Sequence, residues 1–478
     1  MSNILKFILY FILFIALIII AYLVVRKDEK KIYKNILALA WPSISEQFLL
    51  MLVGMIATIF ISRLGPEYTS SVGIVTTLFG LYQVIFAALS TGSTVLIARF
   101  IGQNKQGKAM STLFQSIVIG TVISIVFFLF ASIFYKQIIN VFYNELEANV
   151  LNLTYIYYKS TVIGIPFIVM DLIISGAQKG AGDTKTPMII SIIVNVVNVI
   201  LNIFLVRGVN IGIINIASIG LVGAAIAVNV SRILGAGLKF LTLFSNKRKI
   251  YFDLKMKYRL DKNIIKRIFK IGIPSLLENF IMQGGFLFLQ TLIISLDPQG
   301  NVLAGYQIGG NVHNIAFMPI LGLSITTTTL VGQSLGMENY SLAEKYAKYC
   351  TKFAIFIGLF MGLFQISFSK LLIGLYEPIP VVLPFATITL IGFSLIEPFI
   401  GLSNVIASAL RSAGDLRYIL FTALVAFWSL RLAFSYVLIH FFNIGLIGVM
   451  IGIFLDFGIR SFLYLNRLNK GRWKYLRI

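Results

Sequence analysis

An offset of 232 residues relates the two halves of this sequence, and a duplication on that scale constrains the fold more than any single motif. Pro42 and Glu46, in WPSISEQ, recur as Pro274 and Glu278, in IPSLLEN. Pro66 maps to Pro298, Gly73 to Gly305, Pro166-Phe167-Ile168 to Pro398-Phe399-Ile400 and Gly182-Asp183 to Gly414-Asp415. With small gaps, Gly102 and Ala109 match Gly336 and Ala343, and the run from Gly220 to Gly223 matches that from Gly445 to Gly448. Whatever the first half builds, the second half builds again.

Hydropathy says what is built. With 58% hydrophobic and only 12% charged residues and a mean hydropathy of +0.91, the chain has more apolar surface than a soluble globule of this size can hide. Runs such as Ile117 to Tyr135 are apolar on every face, which fits helices and not the alternating strands of a membrane barrel. About 13 segments reach the roughly 20 residues needed to span a bilayer. The expected class is therefore all-α and polytopic: two six-helix lobes plus one extra N-terminal transmembrane helix. Six is even, so both lobes enter and leave on one side and are parallel repeats about an axis along the membrane normal. Residues 1–33 hold the extra helix (Phe7 to Val25) and a basic linker, 34–244 the first lobe, 245–270 a second basic linker and 271–478 the second lobe. Two such bundles around a cavity that opens alternately to either side form a machine for moving a solute.

The net charge of +22 would suggest nucleic acid in a soluble protein, but here the basic residues sit between spans and report topology. The cluster from Ser245 to Lys270 and the tail from Arg467 to Ile478 are placed in the cytoplasm by the positive-inside bias. The expected partners are the lipid bilayer of the plasma membrane and a small organic molecule, with no nucleic acid, and the chain is expected to be a monomer. A lone cysteine, Cys350, excludes an intramolecular disulfide and a thiol metal cluster. No phosphate-binding loop, HExxH or serine elbow is present, so neither an enzyme nor a cofactor is expected.

An ionisable side chain at the bilayer centre costs about 3 kcal/mol on insertion scales, so the few in the spans are informative. Glu46 and Glu278 each follow a proline by four residues, on the same helix face, and lie roughly 10–15 Å into their spans. Proline opens a backbone turn, and glutamate beside it supplies a protonatable or cation-binding oxygen. The plainer alternative is that both are hydrogen-bonded anchors near the interface. Glu278 is followed by Asn279, Gln283 and Gln290, a polar strip that makes it the first candidate for coupling and for a sodium ion. Glu397, beside Pro398, is another candidate, with a buried acid at a kink as its alternative. Asp171 is a candidate cavity-lining residue, with a protonated or helix-capped carboxyl as its alternative. The stripe Asn195, Asn198 and Asn202 either lines the cavity or is interhelical glue, and Gln283 is a further cavity-lining candidate. Asp456 and Arg460 fit an i, i+4 ion pair, Arg431 has no evident partner, and His313 fits either packing or a proton relay.

The stretches ISRLGPEYTSSVGI, SGAQKGAGDTKTP, ASALRSAGD and AGYQIGGNVHNIAFMPILGLSITTTTLVGQSLG together resemble signatures of the multidrug and toxic compound extrusion (MATE) transporters. The resemblance covers residues from about 34 to 465 and implies two six-helix lobes in a V, with export of cationic or amphipathic compounds driven by inward sodium ions or protons. Ala57 stands before Thr58 where many members have an aspartate, and Asn202 stands where some have another. The resemblance thus moves the expected coupling acids to Glu278 and Glu397, with Glu46 third and Thr58 a cavity-lining candidate. The alternative function is a flippase for a lipid-linked saccharide, whose anionic diphosphate would call for several basic residues in the spans. Lys159, Arg232 and Arg431 are the chief ones present.

Overall fold

The computed structural model describes residues 27–62, 64–143, 147–211, 214–216, 218–253 and 255–476. Twelve long helices follow in order: α1 Lys27–Ser62, α2 Pro66–Gly102, α3 Gln106–Ile133, α4 Ala148–Gly180, α5 Lys185–Arg207, α6 Gly220–Thr242, α7 Lys262–Ile294, α8 Asn301–Gly336, α9 Tyr340–Ser367, α10 Leu383–Ala413, α11 Leu416–His440 and α12 Leu446–Asn469. Eleven of them, α2 to α12, are long and apolar enough to cross a membrane. With α1 they make the six plus six that the repeat requires. The expected extra span, Phe7 to Val25, lies outside the described residues. A small antiparallel hairpin, Val209–Ile211 with Ile214–Ile216, separates α5 from α6.

Among the described residues the contacts divide the chain into two compact units, residues 27–44 with 277–476 and residues 45–276. The divisions fall inside α1 and α7, after Ile44 and after Leu276, rather than in the basic linker. They are themselves one repeat apart, and each lies between the proline and the glutamate of the recurring motif. Pro42 and Pro274 both sit within their helices and leave the carbonyls of Ala38 and Lys270 without a helical donor.

Within the first unit, α1 begins at Lys27, so residues 27–33 are helix rather than linker. The run KDEKKIYKN has no Gly or Pro, and Ile32, Ile36 and Ala40 recur every fourth residue as a buried stripe. This stripe joins a core drawn from α7 to α12. Tyr33 packs edge-on against Tyr349 of α9 at 5.0 Å, and Asn35 donates to the Tyr346 hydroxyl at 2.7 Å. Below α12 a short turn, Arg472–Tyr475, buries Trp473 completely, its indole N–H donating to the Leu468 carbonyl at 2.9 Å. Lys474 pairs with Glu344, and Arg467 with Asp415.

Within the second unit, the stretch read as a linker is packed. Phe252 and Tyr258 form an aromatic cluster with Phe114, Phe240 and Phe244. The Asp261 amide donates to Gln115 at 3.0 Å, and Gln106 to the Lys249 carbonyl. Burial pushes the Tyr258 hydroxyl above the ordinary tyrosine range.

Candidate functional site

The recurring glutamates are ion-paired, and the pairs are repeats of one another. Glu46 carries Lys179 at 2.9 Å and accepts from the Ser175 hydroxyl at 3.2 Å. Glu278 accepts from Arg411 at 2.9 Å. Lys179 and Arg411 are again 232 residues apart, so one structural rule places an acid on the first helix of each repeat against a base at the end of the fourth. The first pair is nearly covered, at 2% and 10% side-chain exposure, and the second is looser, at 18% and 22%. Gln283 and Gln290, which follow Glu278, are exposed.

The remaining first-half candidates form two groups. Asp171 meets Lys239 of α6 at 2.8 Å. Along α5, Asn202 donates to Asn198, Asn198 donates to Ser231 of α6 at 3.0 Å, and Asn195 turns back to the Ser191 carbonyl at 2.7 Å. The stripe therefore links α5 to α6, as interhelical glue does. Thr58 lies in α1 at a position whose side chain is outside the described ones.

Arg431, without an evident partner in the sequence, has one in Asp456 at 2.6 Å. Asp456 also holds Arg460, so the expected two-residue pair is a three-residue group. Phe427 and Phe457 flank the Arg431 guanidinium at 4.6 and 4.8 Å. Arg431 sits where α11 widens into i→i+5 turns, Ala426–Ala433, a local irregularity often found at functional positions.

Glu397 differs from every other acid in the spans. It is 0% exposed on α10, and neither of its carboxylate oxygens receives a hydrogen bond. Its one close polar neighbour among the described contacts is His313 of α8, whose Nδ1 lies 2.9 Å from Oε2 without hydrogen-bond alignment. The imidazole is stacked on Phe393 at 4.4 Å and 11°. Around this dyad the structure is closely built. Gln365 of α9 donates to the Val312 carbonyl at 3.1 Å and accepts from Ser394 at 3.2 Å, tying α9 to both helices beside the dyad. α9 approaches because Gly358 and Gly362 have no side chain there. A Cβ on Gly358 would stand 2.6 Å from the Pro398 Cα, and one on Gly362 would strike the Ser394 carbonyl. That carbonyl lacks its helical donor, since Pro398 has no N–H. A buried carboxylate left this way is costly unless something with positive charge visits it.

The sequence singled out both members of this dyad but did not join them. Eighty-four residues separate them, and only the packing of α8 on α10 brings them together. Among the described residues no cluster of three or more metal-ligating side chains is present.

Comparison with known proteins bears on the whole chain. The family model MatE matches residues 42–204 and 274–437, one match per repeat. A probable multidrug resistance protein NorM from Thermotoga maritima is 27% identical, covering 94% of this chain and 95% of its own. An uncharacterized transporter, YisQ, from Bacillus subtilis is 24% identical over 94% of this chain and 96% of its own. Among solved structures, a MATE transporter in complex with MaL6 superposes with a TM-score of 0.84 at 21% identity, covering 92% of this chain and 97% of its own. A MOP superfamily transporter from Pyrococcus furiosus gives 0.83 at 20% identity, covering 92% and 96%.

Proposed function

Because this chain belongs to the MatE family, we propose that it is a secondary active antiporter exporting organic, cationic or amphipathic compounds in exchange for inward sodium ions or protons. It would work by alternating access in the plasma membrane, with the linker and C-terminus cytoplasmic and the chain acting as a monomer. The observation that carries this reading is Glu397: a fully covered carboxylate with no hydrogen bond, held in a rigid cradle. Such a group is stable only when its charge is answered, and a transported cation answers it in one state and leaves in the other.

Glu397 therefore stands ahead of Glu278 as the coupling acid in this reading. Glu278 already has a permanent cation in Arg411, as Glu46 has in Lys179, and a second cation would have to displace a tethered one. The flippase alternative loses weight on the same ground. Arg431 is tied to Asp456 and is not free for a diphosphate, while Arg232 lies over Phe79 at 4.7 Å with the Thr161 carbonyl at 3.4 Å, and Lys159 is exposed.

The test is ethidium efflux from proteoliposomes under combined sodium and proton gradients. Uphill efflux that Glu397→Gln abolishes and Glu278→Gln only slows supports the reading. Efflux unchanged in Glu397→Gln removes the assignment of the coupling acid, and no efflux in wild type removes the substrate class.

A further inference from the structure

The geometry points to His313 and Glu397 as a single proton-exchanging dyad, so that the proton, and not sodium, is the coupling ion, entering through the imidazole. This deepens the exporter reading and rests on it.

Three observations carry it. First, the nearest polar neighbour of the covered carboxylate is a nitrogen base rather than a shell of oxygens. A hard cation is held by several oxygens, but here the side-chain oxygens of Ser394 and Gln365 are bonded to one another, which leaves the Ser394 carbonyl, freed by Pro398, and the Thr389 hydroxyl two turns away rather than a shell around the carboxylate. The Ser394 hydroxyl donates to the Leu390 carbonyl at 2.7 Å and to Gln365, and the Gln365 carbonyl oxygen receives it. Second, neither Nδ1 nor the two carboxylate oxygens are used in another hydrogen bond. A proton placed between Nδ1 and Oε2 thus breaks no existing bond. Third, exposure is divided between the partners. Glu397 is covered completely, whereas a tenth of the His313 side chain is uncovered. A proton reaches the carboxylate by way of the imidazole, a group suited to carry it in the physiological range.

The exchange balances in protons and charge. With one proton the dyad is imidazolium with carboxylate, or imidazole with carboxylic acid, and its net charge is zero. Without that proton it is imidazole with carboxylate and carries one negative charge. An organic cation is attracted to the second form, and an incoming proton converts it to the first and releases the cation. One positive charge enters as one leaves.

The groups facing the dyad are few. On α8, Tyr306 lies against Phe393, the ring that stacks on His313. Tyr306 is also within the field of Arg431, which with Asp456 and Arg460 brings one net positive charge from α11 and α12. From α9 the facing group is Gln365, which is neutral. On the short helix Ser369–Gly374, Lys370 is exposed. Thr389, two turns before Glu397 on α10, offers a further buried hydroxyl with no partner, at the place where Gly309 meets α10.

Two measurements test this on the intact protein. In proteoliposomes with proton and sodium gradients imposed separately, ethidium efflux is expected with the proton gradient alone. In weakly buffered detergent solution, ethidium binding is expected to release protons from wild type. That release should vanish in Glu397→Gln and shift by about one pH unit or more in His313→Asn, the order of shift a lost charged neighbour produces. Both variants must still bind ethidium and elute as single species, and Glu397→Asp, as the conservative check, should retain proton release. Efflux driven by sodium alone overturns the dyad while leaving the exporter reading in place. Proton release unaltered in His313→Asn overturns the role of the imidazole. If neither gradient moves ethidium, the exporter reading falls and this inference falls with it.

Discussion

The two halves of the chain agree at their glutamate anchors and disagree at the dyad, a contrast that, on the proposed reading, separates scaffold from machinery. Glu46–Lys179 and Glu278–Arg411 are the same ion pair made twice. The positions one repeat before His313 and Glu397, in contrast, are Leu81 and Ile165, and those before Gln365 and Ser394 are Ile133 and Val162. Nothing ionisable remains there. A third site is intermediate: where the second half joins its fifth and sixth helices through Arg431 and Asp456, the first half joins them through Asn198 and Ser231. The frame is duplicated, and the ionisable dyad stands in one copy only.

The largest expected effect tests this division directly. Glu397→Gln should reduce gradient-driven ethidium efflux by ~100-fold or more, the scale on which a lost proton-transfer group acts, while Ile165→Val should leave the rate within twofold (~2-fold) and cost only about 1 kcal/mol of stability. Comparable losses of transport in both would erase the asymmetry. Next comes the interhelical link. Asp456→Asn strands two buried arginines and should cost about 3–5 kcal/mol, whereas Asn198→Ala should cost about 1 kcal/mol, both read from thermal unfolding in detergent followed by tryptophan fluorescence.

The anchors should then differ in degree rather than in kind. Glu46→Gln, which leaves Lys179 nearly covered, should cost about 3 kcal/mol, and Glu278→Gln, whose pair is partly exposed, about 1 kcal/mol. An inverse ranking would mean that the second anchor carries more than its exposure suggests. The smallest effect belongs to Lys474→Ala at the C-terminal turn, which should cost less than about 1 kcal/mol because its pair with Glu344 is partly exposed.

Much of the fold could be read from the residues, because hydropathy and the 232-residue offset are long-range regularities that survive local detail. The recurring anchors could have been read as well. Lys179 and Arg411 share the offset of Glu46 and Glu278, and matching two offsets would have paired them. The dyad could not, since nothing local relates position 313 to 397. Arg431 seemed unpartnered because Asp456 already had an i, i+4 neighbour in Arg460, and sequence spacing gives no sign that one carboxylate serves two helices. The packed linker was hidden by its charge: its lysines and arginines dominate the composition, while Phe252 and Tyr258 make the contacts.

One feature of the first compact unit bears on biogenesis. It is assembled from residues 27–44 and 277–476, whereas the other unit is one uninterrupted stretch. On a ribosome adding roughly 5–20 residues per second, the helical stripe of Ile32, Ile36 and Ala40 waits roughly 10–50 s for the helices it packs against. In that interval the uninterrupted unit is the first able to complete its own packing.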